Sequence, residues 1–548
     1  MYKMIHAVLF AVLASLLAIS DAKSADEWKS RVIYQLLTDR FHNPSAGGSC
    51  GNLRDYCGGT FQGVIKKLDY IQGLGVNAIW ISPVVENTPG GYHGYWAKNI
   101  SNINPKFGSP QDLKDLVSAC HARGIWVMVD VVGNHMGYPP GCPGCSMQQE
   151  TDFSSLWPFN RAEHYHNYCD IKNWGDAHEV EYCRLAELPD LNQDNSYVRE
   201  TLKAWIHNLV QTYGFDGIRI DTIPEVKPQF WNEFGQSSGV FQIGEVDNGD
   251  PDYDSPFQGP LTSVLNYPMY WTLRNVFQQK SAGMRTIGDR LREEAAKFKD
   301  MTVLGGFVDN HDNPRFLSIN KDWTSLKNAL AYTLMARWIP IVYYGTEQAY
   351  AGGNDPYNRE SLWPNYNTNH LMYQFIAQVN AFRNKLGSAF YDSAQNERWR
   401  DDSFYAFTRG NGESVLVCVS NQGSGSTEQR DIGDLPYHDG TTLQNILDTS
   451  DKITANGGKV SINIQNGQPK IYHVLSGEHE GTTESHVTPR NHGDVDTPPT
   501  ASHRVESGQE ANVLGIVVGV VGACVVLGGI VGYLGYKKLH RRSYVTLN

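Results

Sequence analysis

Between Arg31 and about Glu397 the chain alternates two hydrophobic rhythms. Short, densely apolar runs occur at Val32–Leu37, Ala78–Ile81, Ile125–Val132, Gly217–Ile220, Phe241–Gly244, Ser263–Leu265, Leu304–Val308 and Ile341–Tyr344. Runs of that length read as buried strands. Between them lie stretches with apolar residues at helical spacing, Ser109–Arg123 and Ser196–Tyr213 among them. Buried strands alternating with helices predict a parallel α/β sheet. Eight such units predict a (β/α)8 TIM barrel over residues 26–134 and 192–397, with functional groups at the C-terminal ends of the strands. The alternation alone also fits an open, doubly wound sheet.

Two departures from the rhythm mark further parts. The connection from about Asn134 to Leu191 is rich in Cys, Pro, Asn and His and far too long for a simple loop. It predicts an inserted subdomain, residues 135–191, after the third strand. After Asn396 the pattern changes to strand-like alternation at Phe404–Thr408, Ser414–Ser420 and Lys459–Ile464, with Gly-rich turns between. This predicts a C-terminal antiparallel β-sandwich over residues 398–476. Residues 477–510 are rich in Glu, Thr, Ser, His and Pro and read as a flexible stalk.

The chain ends carry their own apolar runs. Residues 1–22 combine Lys3, a short apolar run and small residues near Ala22, the pattern of a cleaved secretory signal peptide. Residues 511–536 form an uncharged apolar run, long enough for a transmembrane helix to cross the ~30 Å hydrocarbon core. Lys537, Lys538, Arg541 and Arg542 follow at once, which predicts a single-pass type I protein with its globular part lumenal or extracellular and residues 537–548 cytoplasmic. Gly515, Gly519, Gly528 and Gly532 stand at a spacing that packs two such helices closely.

Composition narrows the function classes. The net charge of -12 excludes a nucleic-acid partner, which needs a basic surface, but suits an uncharged one. Nine cysteines in a secretory chain predict a few disulfides. Cys50 and Cys57 share a Gly-rich loop, Cys169 and Cys183 flank a polar one, and Cys142 and Cys145 bracket a tight turn. Cys120, Cys418 and Cys524 read as buried free thiols.

Polar residues gather where four strands end, at Asp130-Val-Val-Gly-Asn-His135, Gly217-Ile-Arg-Ile-Asp221, Ile243-Gly-Glu245 and Phe307-Val-Asp-Asn-His-Asp312. One carboxylate at a strand end is usually a cap or an ion pair. Four such ends opening on one barrel face predict a catalytic site. In order and spacing these segments resemble the α-amylase family of glycoside hydrolases, the fungal-type calcium-dependent enzymes in particular. Tyr34-Gln-Leu-Leu-Thr-Asp-Arg-Phe41, Tyr92-His-Gly-Tyr-Trp96 and Gly352-Gly-Asn-Asp-Pro-Tyr-Asn-Arg359 extend the resemblance, which covers about Asp26 to Tyr472.

The resemblance implies retaining endo-hydrolysis of α-1,4 bonds in starch, glycogen or maltodextrins. Asp221 is then the nucleophile, Glu245 the general acid/base and Asp312 the carboxylate that grips sugar hydroxyls. Arg219, two residues before Asp221, shares its strand face and is expected to keep it ionised. Glu245 is expected to have a raised pKa. His93, Tyr95, Trp96, His135, His311, Asp355 and Arg359 are expected to line the substrate pocket. The resemblance further implies a structural Ca2+ held by Asn134, Glu181, Asp190 and the backbone carbonyl of Glu225. It pairs Cys50 with Cys57 and Cys169 with Cys183, and Gln242 stands where one cysteine of a further bridge would be.

Pro224 and Glu225 replace the Lys–His pair usual on the leaving-group side, which leaves α-glucosidase and glucanotransferase activity open as alternatives. A non-catalytic carbohydrate-binding ectodomain is the third reading. Asn99-Ile-Ser101 is a glycosylation sequon. The tail's Tyr544-Val-Thr-Leu547 resembles a tyrosine-based sorting signal. It implies a sorting adaptor and an endosomal or lysosomal location, with the plasma membrane as the alternative.

Overall fold

A computed structural model describes residues 23–138 and 152–475. The chain divides into two units, Met1–His479 and Glu480–Asn548, and every described residue belongs to the first. The signal peptide, Cys142, Cys145, Cys524, the stalk, the apolar run 511–536 and the basic tail all lie outside the described residues. Among the described residues no helix is long and apolar enough to cross a membrane.

The eight predicted strands form one closed parallel barrel. They are β1 Ile33–Leu36, β2 Ala78–Ile81, β3 Trp126–Val131, β4 Gly217–Ile220, β5 Phe241–Gly244, β6 Ser263–Val264, β7 Gly305–Gly306 and β8 Ile339–Tyr343. Each pairs with its neighbours in sequence, β1 pairs with β8, and a parallel bridge from Leu265 to Gly305 closes β6 on β7. This ring excludes the open sheet. β8 begins two residues before the predicted Ile341 because Pro340 lies inside it, where a missing N–H ordinarily argues against a strand. β7 is shorter than predicted. A side chain at Gly305 would run into Ile243 and Ile341 of the packed interior, so the strand stays thin there.

Alternating residues of the strands fill two compartments. Ile33, Trp80, Met128, Ile243 and Ile341 point into the barrel. Tyr34, Ile79, Val127, Ile218 and Val342 point outward against the helices. Trp28 plugs the end where the strands begin. It follows a capping box formed by Ser24 and Glu27, packs on Trp126 and Phe241 at 5.1 Å each, and donates from Nε1 to the Asp216 carbonyl at 3.2 Å.

Two excursions build the opposite face. The hairpin Val85–Asn87/Ala97–Ile103 carries the Tyr92–Trp96 segment at its turn. The predicted insertion after β3 has short helical turns, a helix at Ala177–Tyr182 and the Cys169–Cys183 disulfide. Bridges from His135 to Asp190 and from Tyr165 to Leu191 fold it back on itself. The Cys50–Cys57 disulfide forms as well, and Cys120 and Cys418 are free and buried.

From Asn396 the chain forms a C-terminal β-sheet domain. Six antiparallel strands make one sheet, and Thr427–Ile432 pairs with Val460–Gln465 in a separate ribbon. Val460, Ile462 and Ile464 of the ribbon share a buried cluster with Phe404, Leu416 and Tyr472 of the sheet. The facing layers of the predicted sandwich are therefore six and two strands.

One polar feature lies outside the catalytic face. Asp254, on the short helix Pro251–Asp254, and Glu294, on the helix Arg285–Lys297, are both fully buried. Among the described residues neither Asp254 oxygen has a hydrogen-bond partner, and neither does Glu294 Oε1; Glu294 Oε2 accepts from Asn266 Nδ2 at 3.2 Å.

Candidate active site

Strand ends place the four motifs around one guanidinium. Arg219 lies on β4 with its side chain buried in the barrel mouth. Its Nη1 donates to Asp130 Oδ1 on β3 at 2.9 Å and to Asp221 Oδ1 at 2.7 Å. Its Nη2 lies 2.9 Å from Glu245 Oε2, just past the end of β5. Period-two geometry explains the first contact, since Arg219 and Asp221 share a face. The backbone N–H of Asp221 still bonds to Val131, so the nucleophile candidate stands on the last rung of the sheet. Glu245 Oε2 also accepts from the Thr222 N–H at 3.1 Å.

The three carboxyls compete for one positive charge. Burial pushes Asp221 up to about 7, with Arg219 opposing and Asp130 and Asp312 reinforcing the rise. Arg219 lowers Asp221 in the expected direction, but its guanidinium is divided between Asp130, Asp221 and Glu245, and burial outweighs it. Burial raises Glu245 to about 8, with Arg219 opposing and Asp221 and Asp312 reinforcing the rise. Both carboxyls are raised, and the rise of Glu245 is in the direction expected for a general acid. Asp312 differs. Burial raises it, but His311, Arg359 and Arg219 together hold it below the usual carboxylate range. Arg359 Nη2 lies 3.4 Å from its Oδ1, and His311 Nε2 lies 3.4 Å from its Oδ2.

A proton relay fixes the wall of the cleft. Burial lowers His311 to about 3, so its ring is neutral and carries one N–H. Gln35 Nε2 donates to His311 Nδ1 at 2.8 Å, which puts the proton on Nε2. Nε2 then donates to the Tyr95 hydroxyl at 2.7 Å, and Tyr95 donates to Asp130 Oδ2 at 2.8 Å. Trp80 Nε1 donates to the same oxygen at 3.0 Å. Tyr95 is stacked on His311 at 5.3 Å and on His93 at 5.6 Å. Arg359 binds Asp355 at 3.2 Å, and Asp355 also accepts from Tyr92 at 3.3 Å. Trp96 packs edge-on against His93 at 4.7 Å and Tyr138 at 5.0 Å, joining the hairpin to the insertion.

Sequence reading left some of these groups without a role. Asp130 stood in a quoted motif, yet it is the most contacted acceptor of the site. Gln35 also lay in a quoted motif. Asp247, two residues beyond Glu245, faces the cleft, and Trp271 Nε1 donates to it at 3.3 Å. Burial, with Asp312 adding to it, pushes Asp247 up to about 6. Continuing the period of two past Glu245 would have found it.

The residues expected to hold Ca2+ fit a hard cation. Burial lowers His135 to about 4, so its ring is neutral. Its Nε2 faces the Tyr95 carbonyl at 3.2 Å and must carry the proton. Nδ1 must then accept, and Asn134 Nδ2 donates to it at 3.2 Å. The other end of the Asn134 amide group lies 2.9 Å from Asp190 Oδ1 and 3.2 Å from the Glu225 carbonyl. Asn134, Asp190 and the Glu225 carbonyl thus bring together oxygen groups of the kind a hard cation takes. Glu181 instead lines a neighbouring cavity with His166, Tyr182 and Asp194. Among the described residues no three His, Cys, Asp or Glu side chains converge on a metal, so this cage rests on an amide, one carboxylate and a carbonyl.

Comparison with known proteins places this geometry. The alpha amylase catalytic-domain family matches residues 35–411, and the alpha-amylase domain C family matches residues 397–481. Alpha-amylase 1 of Schwanniomyces occidentalis is 37% identical over 477 residues, covering 83% of this chain and 92% of that one. The alpha-amylase of Saccharomycopsis fibuligera is 38% identical over 489 residues, covering 84% and 97%. Among solved structures, an alpha-amylase from Malbranchea cinnamomea superposes with a TM-score of 0.78 at 36% identity, covering 82% of this chain and 98% of that one. A cyclomaltodextrin glucanotransferase, CldA, superposes at 0.72 with 28% identity, covering 81% and 99%. Barrel, strand-end carboxyls and sequence agree, and the chain belongs to the α-amylase family of glycoside hydrolases.

Proposed function

We infer that the protein is an α-amylase that cleaves internal α-1,4 bonds of starch, glycogen or maltodextrins with retention. The observation that carries this reading is the single Arg219 guanidinium spanning Asp221 and Glu245. A common bridge keeps the two carboxyls close, compatible with the ~5–5.5 Å of a retaining pair. In this mechanism Asp221 attacks the anomeric carbon as Glu245 passes its proton to the departing glycosidic oxygen. A glycosyl ester forms on Asp221. Glu245, now a carboxylate, takes a proton from water, whose oxygen attacks the same carbon from the side the leaving group vacated and releases Asp221. Asp312, held ionised by its cations, bonds sugar hydroxyls and favours the positive charge that develops on the ring. Tyr95, His93, His135, His311 and Arg359 form the wall against which the ring is seated.

Ca2+ would be held by Asn134, Asp190 and the Glu225 carbonyl, with Glu181 the fourth residue of the proposed set. Bound there, it neutralises the oxygen cage and ties the insertion to the ends of β3 and β4. Glycosyl transfer is a second reading, favoured by one feature. Glu225 is buried, its Oε2 has no partner, and Glu245 and Asp247 are its acidic neighbours. The Lys–His pair usual in fungal-type enzymes is thus replaced by Pro224 and a buried carboxyl that burial pushes up to about 8. The apolar run 511–536 with its basic flank supports a type I membrane anchor, and Tyr544–Leu547 supports endosomal or lysosomal delivery through an adaptor. The test of the chemistry is Glu245→Gln, which keeps shape and removes the proton donor. Wild-type starch cleavage by that variant would reject the mechanism.

A further inference from the structure

We propose a second glucan-binding site, remote from the catalytic carboxyls but on the same face of the molecule, centred on Trp323 and the groove beside it. In a (β/α)8 barrel each helix starts where the preceding strand ends. Trp323 is the first residue of the helix Trp323–Met335, which follows β7, and Leu371 is the first of the helix Leu371–Leu386, which follows β8. Both therefore lie on the rim of the face that carries Asp221, Glu245 and Asp312. Trp323 is 41% exposed and Leu371 62%. Trp323 meets His370 at 5.1 Å between ring centres, making an aromatic platform open to solvent.

Lys327, one turn along the helix from Trp323, and Leu371, next to His370, line a groove of about 630 Å3 between the helix Leu371–Leu386 and the C-terminal domain. Gln468, on the groove wall, donates from Nε2 to Thr324 Oγ1 at 3.0 Å and so ties the wall to the residue after Trp323. The lining is chemically specific. Six of its fourteen side chains are amides, four of them, Gln374, Gln378, Asn445 and Gln468, already bonded within the protein, and its charges cancel, Lys327 and Lys470 against Asp448 and Asp451. Asn463 and Gln465 alternate outward on one strand, and their amides have no partner among the described residues. An amide offers a donor and an acceptor together, which is what a sugar hydroxyl needs. A charge-neutral, amide-rich wall beside an exposed indole fits an uncharged, polyhydroxylated chain with apolar C–H faces. It does not fit a phosphate or a peptide of either charge. The occupant is a distant stretch of the α-glucan whose other part lies in the cleft, and this choice of ligand rests on the reading given under Proposed function.

The test uses the full-length protein, its Trp323→Ala variant and an Asn463→Ala/Gln465→Ala variant, all changed at exposed positions. Affinity for glycogen is read by native electrophoresis in glycogen-containing gels, and turnover of the short substrate maltotetraose reports the cleft. The expected result is a glycogen Kd about tenfold weaker in Trp323→Ala, the loss typical of truncating an aromatic anchor, with maltotetraose turnover unchanged. Weakening in either variant supports the site, and wild-type glycogen affinity in both overturns it. A wild-type protein that leaves maltotetraose intact would overturn the α-amylase reading instead, and the glycogen affinities would still decide this one.

Discussion

Asp130, Asp221 and Glu245 share one guanidinium, whereas Asp254 and Glu294, buried elsewhere on the same barrel, share none. Both groups raise the affinity of their carboxyls for protons, for the same first reason, burial. The difference lies in what compensates. On the catalytic face Arg219, Arg359 and an open cleft let some carboxyls ionise while Glu245 keeps its proton, so a proton can move at working pH. Between the helices Pro251–Asp254 and Arg285–Lys297 there is no such partner. Glu294 is pushed up to about 8, with only Asn266 and Arg290 opposing burial, and Arg290 is engaged by Thr272 and Glu293. Asp254 is raised as well, by burial and then by Glu294 and Asp247. A proton there is held, not exchanged with a substrate.

The largest effect that would break this comparison belongs to the catalytic group. Glu245→Gln should lower kcat on starch by about 10²–10⁴-fold, the usual worth of a positioned general acid, while leaving the melting temperature near wild type. Starch assays and calorimetry on the same preparation check both halves. Arg219→Lys keeps one charge but cannot bridge three carboxyls. It should lower kcat by about a hundredfold, because misplacement near the reacting atoms costs that much. It should also move the acidic limb of the pH–rate profile upward, since Asp221 loses the partner that favours its ionised form. In the wild type that limb reflects Asp221 near about 7 and the alkaline limb Glu245 near about 8. Activity should rise as the first loses its proton and fall as the second does.

The proposed Ca2+ site sharpens the comparison, because a cation held there would take the role that Arg219 plays in the cleft. Chelation should free the Asn134 amide to turn and should lower stability by about 2.7 kcal/mol relative to protein held at a hundredfold excess of Ca2+ over its Kd. Melting curves against free Ca2+ test this, with Asn134→Ala expected to abolish the dependence.

The smallest effect concerns Asp254 and Glu294. Their folded state binds protons that the unfolded chain releases near ~4. Stability from this pair is therefore complete at low pH and declines as pH rises through about 8, the Glu294 value, because the folded form then binds more protons than the unfolded one. Asp254→Asn removes one ionisable member, so it should flatten the decline and raise stability at pH 8 by about 1–3 kcal/mol, the cost of a buried unsatisfied polar group. Urea unfolding at pH 5 and pH 8 measures it. An identical pH slope in the variant would contradict the pairing.

How much of this was legible in the sequence follows from what each feature depends on. The barrel strands are continuous apolar runs, so their hydrophobicity alone located all eight, and the errors fell where backbone chemistry intervened, at Pro340 and at Gly305–Gly306. The edge strand Thr427–Ile432 was invisible because only one end of it is buried and its composition is polar. The catalytic carboxyls were legible because strand ends and period two put them on one face. Their charge states were not, because the sharing of Arg219 among Asp130, Asp221 and Glu245 depends on strand neighbours that sequence spacing does not reveal. The Asp254–Glu294 pair was missed for the same reason: the two residues are far apart in the chain and meet only through packing of two helices. The Trp323 groove likewise joins a barrel helix to the C-terminal domain.

The central claim is that Asp221 and Glu245 act as a nucleophile and acid/base pair held by one arginine. Its most direct test is the anomeric form of the first products. Maltoheptaose is incubated with the protein and Ca2+, and proton NMR is recorded before mutarotation. The account predicts shorter maltooligosaccharides released first as α-anomers. Early β-anomers would mean inversion through a single displacement, and would contradict the roles given to both carboxyls.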